Sequence, residues 1–336
     1  MNIPLAANGG LTQWILTTEP DAADPAAERR LLSSCETLKK PVLVRYQDGR
    51  LEEGTAYGVA SVFTYLHCRG KGYAQILMSK LGETLQQSQD GSSGTAVCSV
   101  LYSDIGKTFY DRVGWKPFES DHLEFSASTA SSDLSVDVEV AVRPVGDDDI
   151  SLLTSLDEQS IRRKLSSLDT SKIRVALLPD LNTVLWFLRR EDLTCQQIFA
   201  QTPKVRGALY TPPATPNSRV WGLWFRGFYG GLAHPEKNTL HFLRLAVEDD
   251  DMSDEQLAQG LRAILRVACR EGHEWRCLKV ELWNPEPRVR KLVENLQDLP
   301  SKFVEREVDS ISSLRWFGEG SAKDVDWLYN EKFGWC

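Results

Sequence analysis

The sequence predicts a mixed α/β fold built as two similar lobes, each with helices packed on a partly parallel sheet. Three observations predict it. A β-branched and aromatic run, Tyr57 to Thr64, feeds Arg69-Gly70-Lys71-Gly72-Tyr73-Ala74 and then an amphipathic helix. The same order of strand, loop, helix, strand and short helix recurs after residue 240. Between the two copies, Ser126 to Ser135 is small, polar and without period, as interdomain linkers are. These features divide the chain into residues 1–125, a linker at 126–136, and a second lobe at 137–336.

The first copy carries the chemistry. A strand feeding a Gly-rich turn that opens a helix gathers free backbone N–H groups and the positive end of the helix at one point. Glycine lets an anion approach the backbone there. Arg69 and Lys71 add charge, so a phosphorylated ligand is expected at this turn.

The elements follow in order. Leu11 to Thr18 reads as a strand, Glu19 to Arg30 as a loop, and Leu31 to Lys40 as a short helix or turn. Val42 to Tyr46 is a strand closed by the hairpin signal Gln47-Asp-Gly-Arg50, with Tyr57 to Thr64 as partner or near neighbour. The helix after the Gly turn places Tyr73, Ile76, Leu77, Leu81 and Leu85 on one face, and Gln86 to Gly94 ends it. Ala96 to Leu101 is a short apolar strand. Ser103 is expected to cap a second helix carrying Ile105, Phe109 and Val113, and Leu123 to Phe125 to be the last strand of the first domain. In the second lobe, Asp147 starts a helix and Asn182 to Ala200 forms another. Strands are expected at 205–210, 220–228, 240–247, 278–283 and finally 312–317. Ser253-Asp-Glu-Gln256 is a capping box before a helix, and Pro287 to Leu296 forms a further helix.

The strand-for-strand correspondence points to a divergent internal duplication. The loops separate the copies: where the first has Arg-Gly-Lys-Gly, the second has Glu248-Asp-Asp-Asp251. Carboxylates complement a helix N-terminus but repel a pyrophosphate, so the second lobe should lack a phosphate-binding turn.

Bulk properties narrow the function. A formal net charge of -8 argues against general nucleic-acid binding and accommodates a cationic partner. No apolar run approaches the roughly 18 residues of a membrane helix, and no secretory signal precedes the first strand. Seven scattered cysteines without a C-x-x-C pair suit a reducing compartment, so the expected location is cytoplasmic. Cys269, His273 and Cys277 have helical spacing, but Gly272 interrupts them and no fourth ligand is near, so no metal is expected.

Arg-x-x-Gly-x-Ala after a strand resembles the signature turn of the Gcn5-related N-acetyltransferases, and Tyr110-Asp-Arg-Val-Gly114-Trp115 resembles that fold's downstream helix end. Leu32 to Leu38, Val59 to Ala74 and Leu101 to Tyr110 resemble, more narrowly, the fungal lysine N6-acetyltransferases, which acetylate free L-lysine. The resemblance implies an acetyl-CoA co-substrate. Its pantetheine arm would run along Val62, Phe63 and Thr64, and its phosphates would sit on Arg69, Gly70, Lys71, Gly72, Tyr73 and Ala74. Ser103 stands where the family commonly has Asn. The resemblance implies a small-molecule amine as partner, with Tyr110 protonating the leaving thiolate. The base is open among Glu52, Glu53 and Asp104, with Glu53 the candidate taken forward. Only ten residues precede the first strand. The strand and helices that wall the acceptor side in that fold are therefore missing, shortened or supplied by the second half. A truncated, non-catalytic CoA-binding or interaction protein, and an acetyltransferase for another amine or for protein lysine, stay open as alternatives.

Overall fold

The computed structural model describes residues 3–19, 28–87, 96–127, 141–213, 215–216 and 218–336. Most of the expected first loop, the segment after the first helix and nearly all of the linker lie outside them. The strands are β1 (Leu11–Thr17), β2 (Leu31–Arg45), β3 (Leu51–Thr64), β4 (Ala96–Ser103), β5 (Lys116–Pro117), β6 (Asp121–Ser126), β7 (Val142–Val145), β8 (Ile173–Leu177), β9 (Gly207–Tyr210), β10 (Val220–Gly227), β11 (Thr239–Val247), β12 (Lys279–Trp283), β13 (Lys302–Glu305), β14 (Ile311–Trp316) and β15 (Val325–Leu328). The helices are α1 (Tyr73–Gln87), α2 (Thr108–Arg112), α3 (Asp147–Ser167), α4 (Leu181–Phe199), α5 (Asp254–Glu274) and α6 (Pro287–Glu294).

The strands form two sheets. The first runs β15-β8-β2-β3-β4-β14-β5, with β1 also on β2; the second runs β13-β6-β12-β11-β10-β9-β7. Each sheet contains one strand–helix–strand crossover with parallel pairing, β3-α1-β4 in the first and β11-α5-β12 in the second. The repeated order in the sequence is thus a repeated unit in space.

The lobes exchange strands. Leu123–Phe125, expected to close the first domain, lies in β6 and pairs with β12 and β13 of the second sheet. In return β8, β14 and β15 complete the first sheet. The stretch Leu31–Lys40, expected as helix or turn, is instead half of the long strand β2. Buried and half-buried positions alternate along much of it, because β1 and β3 pair on its two edges. Pro41 is tolerated inside β2 because it falls in the gap between two partners on one edge. Pairing with β1 ends at Leu38 and pairing with β8 begins at Val42.

One face of the first sheet carries α1 and α2, through Cys35, Val59, Leu77, Met78, Leu81, Tyr110, Val113 and Trp115. The other face is covered by the second half. Leu38, Val42, Ala56 and Val100 share a core with Ile150 and Leu153 of α3 and Val184, Phe187 and Leu188 of α4. The second half thus covers the face of the first sheet that α1 and α2 leave free. The segment 333–336 is threaded into this seam. Lys40, 1% exposed, donates from Nζ to the carbonyls of Phe333, Gly334 and Trp335 at 2.9, 3.0 and 2.9 Å. Each such hydrogen bond from a charged group is worth about 1.5–3 kcal/mol.

A second buried network holds α4 to the second sheet. Glu191 accepts from Arg206 at 2.8 Å and from Arg226 at 2.9 Å, and Arg226 reaches Glu271 of α5 at 2.6 Å. No helix among the described residues is long and apolar enough to cross a membrane.

Candidate active site

The site begins where two parallel strands part. β3 and β4 pair from Thr55 to Gly58 and no further, although β3 continues to Thr64 and β4 to Ser103. Beyond Gly58, β4 stays on β14 and β3 stays on β2, so the facing edge of Val59–Thr64 opens. Local features hold the fork. Ser99 Oγ donates to the Tyr57 carbonyl at 2.8 Å and accepts from Trp115 Nε1 at 3.1 Å, tying both strands to the segment after α2. Gly58 lies against the threaded segment: a Cβ there would sit 2.1 Å from Cys336 Sγ.

The open end of β3 is bent. Ser34 pairs with Phe63 and Glu36 with Ala60, so Ser61 and Val62 together oppose Cys35. Ser61 takes φ +53, in the left-handed region that makes such a bulge. Its hydroxyl donates to Glu36 Oε1, and Ser33 Oγ donates to the Phe63 carbonyl at 2.8 Å.

After β3 the chain makes the Gly turn. Gly70 has φ +74 and Gly72 φ +78, and a Cβ on either would meet nothing within 4 Å. These glycines are required by backbone conformation, and the space before them is open. Arg69 Nε is turned back to the Thr64 carbonyl at 3.0 Å, while Lys71 is exposed. The first intrahelical bond runs from Ile76 N to the Gly72 carbonyl, so the N–H groups of Tyr73 and Ala74, ahead of it, lack helical acceptors. Val62, Phe63, Thr64, Arg69, Gly70, Lys71, Gly72, Tyr73 and Ala74 thus form one continuous surface. The open strand edge leads into the Gly turn, where a Cβ on Gly70 or Gly72 would meet nothing within 4 Å.

Tyr110 lies in α2 on the α1 side of the fork, buried beside Cys35, with Phe109 edge-on at 5.0 Å. Burial, and then the charge of Asp104 and the nearby Cys35, push its phenol up to about 12. It is therefore a neutral phenol across the neutral range. Gly114, at φ +101, is packed by the guanidinium of Arg315, which also lies 5.2 Å from the Trp115 ring. The Tyr-x-x-x-Gly-Trp stretch is therefore a packing device as well as a carrier of Tyr110.

Three expectations are corrected. Glu53 sits at the start of β3, exposed and ion-paired with Arg162. Five residues of strand separate it from Gly58, where the fork opens, roughly 17 Å at about 3.3 Å per residue, and its carboxylate is engaged by Arg162 rather than turned to the fork; Glu52 beside it is engaged by Arg50. Ser103 does not cap α2, which begins at Thr108. Its hydroxyl donates to Gly106 O at 2.7 Å and accepts from Ile105 N at 3.2 Å, closing its own turn. It is 1% exposed, which removes it from the ligand surface. Asp104 does not open α2 either, and accepts from Ser310 N at 3.1 Å.

Another carboxylate, Glu36 on β2, lies beside the bulge and accepts from the Ser61 hydroxyl. It lines a cavity of about 270 Å³ with Trp14, Ser34, Ser61 and Tyr65. The expectation of a helix or turn over Leu31–Lys40 hides Glu36; the alternation of that stretch is the signal that places it on a strand.

In the second lobe the counterpart of the Gly turn is filled. Glu248 binds Arg219 at 2.7 and 2.8 Å and the Trp221 indole at 3.0 Å, and Asp250 binds Lys164 at 2.6 Å. All seven cysteines are free thiols.

Comparison with known proteins gives concordant results. Residues 122–336, more than half of the chain, match the family described as the LYC1 GNAT-like C-terminal domain. A lysine acetyltransferase of Yarrowia lipolytica is 22% identical, over 91% of this chain and 84% of that protein. An uncharacterised protein of Saccharomyces cerevisiae is 24% identical, over 91% of this chain and 77% of that one. Among solved structures, N-myristoyltransferase of Saccharomyces cerevisiae with bound myristoyl-CoA superposes with a TM-score of 0.50 at 7% identity, over 87% of this chain and 66% of that one. A Gcn5-related N-acetyltransferase of Kribbella flavida gives 0.47 at 15% identity, and this chain spans 57% of its length.

Proposed function

The chain belongs to the LYC1-like family of GNAT proteins, and on that premise we propose that it is an acetyl-CoA-dependent N-acetyltransferase acting on the N6-amine of free L-lysine. The observation that carries the reading is the fork: a strand edge left open at Gly58 beside an unobstructed Gly turn. The name of the Yarrowia relative supports lysine as the acceptor. We place the reaction in the cytoplasm, in keeping with seven free thiols.

The residues of this chain divide the work as follows. Gly70 to Ala74 offer N–H groups to phosphate oxygens, and Lys71 offers charge. The free edge of Val62 to Thr64 offers backbone partners to a pantetheine amide. Acetyl-CoA, when bound, supplies an acyl thioester. A lysine amine has a pKa of about 10.4, so roughly one molecule in a few thousand is neutral at pH 7. Glu36 takes the proton from the ammonium, directly or through a water. The amine nitrogen then bonds to the acyl carbon as the carbon–sulfur bond breaks, and it gives its second proton to water as the amide forms. Tyr110 gives its phenolic proton to the departing thiolate and is reprotonated from solvent. The second lobe walls the acceptor side and, with its acidic loop engaged internally, holds no second CoA.

A thiol-release assay with acetyl-CoA and L-lysine tests the proposal. Turnover with lysine, and less with other amines, is the expected result. Absence of release with any amine would overturn it, and tight acetyl-CoA binding without turnover would leave a binding module.

A further inference from the structure

A cavity of about 700 Å³ lies on the face of the second sheet away from α5. The two-residue period of the strands chooses its floor. On β12, Val280 and Leu282 pack in the core with α5, while Glu281 and Trp283 line the cavity; on β6, Leu123 and Phe125 pack inward, while His122 and Glu124 line it. Pairing of β6 with β12 then sets Glu124 directly opposite Glu281, and His122 directly opposite Trp283.

Two carboxylates opposite each other on one sheet face repel unless a cation joins them. No side chain bridges this pair among the described residues. Lys279 meets Glu124 alone, at 3.0 Å, in a partly exposed ion pair of the kind worth little. Lys332 and Arg306 feel the charge of Glu281 but form no ion pair or hydrogen bond with it; each lies 3.9 Å over the Trp283 ring.

The side chains are presented as metal ligands are. Glu281 is oriented through one oxygen: Trp283 Nε1 donates to Oε2 at 3.0 Å, and His241 Nδ1 lies 3.2 Å from that same atom. This leaves Oε1 toward His122. Outer donors that fix a carboxylate in this way are a regular part of metal sites. His122 is 7% exposed, and its Nδ1 has no hydrogen-bond partner among the described residues. Its Nε2 stands 3.9 Å from Glu281 Oε1, too far for a hydrogen bond. One ion at about 2.0–2.1 Å from each atom spans such a gap. Glu124 completes the set, since one ligand atom from each of His122, Glu124 and Glu281 lies within 4.8 Å of the others. Among the described residues, five carboxylates and four lysine or arginine side chains line the cavity, so a dication does not meet an excess of positive charge.

We propose that His122, Glu124 and Glu281 bind one divalent transition-metal ion of the zinc class, with a further coordination position left for water. An imidazole beside two carboxylates favours such an ion over magnesium, which takes oxygen ligands. The ion would tie β6, the strand lent by the first lobe, to β12 of the second. The expectation of no metal follows from residues close together in sequence, whereas strand pairing assembles this set from distant ones. The site does not depend on the acetyl-transfer reading.

Equilibrium dialysis of the intact chain, first stripped with a chelator, tests it with zinc chloride and, for comparison, magnesium chloride. One equivalent of zinc should bind with micromolar affinity or tighter and raise the thermal midpoint. Loss of an outer donor alone costs a metal site about 10–100-fold in affinity. Loss of a ligand, in His122→Gln or in the partly exposed Glu124→Gln, should therefore weaken binding by about tenfold or more. Cobalt in place of zinc should give a visible spectrum without a thiolate charge-transfer band, which separates this site from the seven cysteines. No stoichiometric zinc, equal binding of magnesium, undiminished affinity in Glu124→Gln, or a thiolate band with cobalt would overturn the proposal.

Discussion

At the scale of residues, function separates side chains that look equivalent in sequence. Glu36 and Glu53 both lie in strands of the first lobe, yet one borders the bulge at Ser61 and the other is ion-paired to Arg162 at the strand's far end. Under the proposed reaction, Glu36→Gln should lower kcat by about 10²-fold or more. Glu53→Gln should leave it within a factor of two, and steady-state assays of the pair decide between them. Tyr110 allows a test by pH. Its folded pKa lies above the ordinary value of 10, near 12, so the fold favours the neutral phenol. That preference is complete below about pH 10 and is lost as pH rises through about 12. The kcat profile should therefore show no falling alkaline limb below pH 10. Tyr110→Phe should lower kcat by about 10²-fold with little change in acetyl-CoA affinity.

At the scale of elements, the Gly turn and the bulge do different jobs. The turn needs two left-handed residues in open space, so a methyl group at Gly72 meets no neighbour and acts through the backbone alone. Gly72→Ala should cost about 1–2 kcal/mol of local strain and raise the KM for acetyl-CoA while leaving that for the amine near its original value. Calorimetry with CoA would show the same loss. The bulge at Ser61 sets the direction of Val62 to Thr64 once pairing with β4 has stopped. Sequence reading found the turn because its glycines are adjacent and its helix is periodic. It missed the bulge, because one extra residue in a strand leaves no mark in composition.

At the scale of the whole molecule, the two lobes do not stand side by side as beads. β6 leaves the first for the second, and β8, β14 and β15 make the return journey. The first sheet without its borrowed strands would lose its partner for β4 on one side and for the second half of β2 on the other. Residues 1–127 expressed alone should therefore fail to fold, with no cooperative thermal transition and rapid proteolysis, whereas the full chain should unfold cooperatively and resist proteolysis. The same interleaving places α3 and α4 against the first sheet and leaves one half of the second sheet's face open as the cavity around Trp283.

The sequence by itself determined what is local: the β3-α1-β4 crossover and its echo β11-α5-β12, the left-handed glycines of the turn, and the capped start of α5 at Ser253. Each depends on neighbours within a few residues, through periodicity, turn conformation or a cap. Only the tertiary structure decided which sheet each strand joins, that Glu36 borders the bulge at Ser61, and that Ser103 is spent on its own turn. A period of two says which side of a strand is buried but not what buries it. Leu123, Phe125 and Leu314 are equally apolar in either sheet, and their partners are chosen by pairings made across more than a hundred residues of chain.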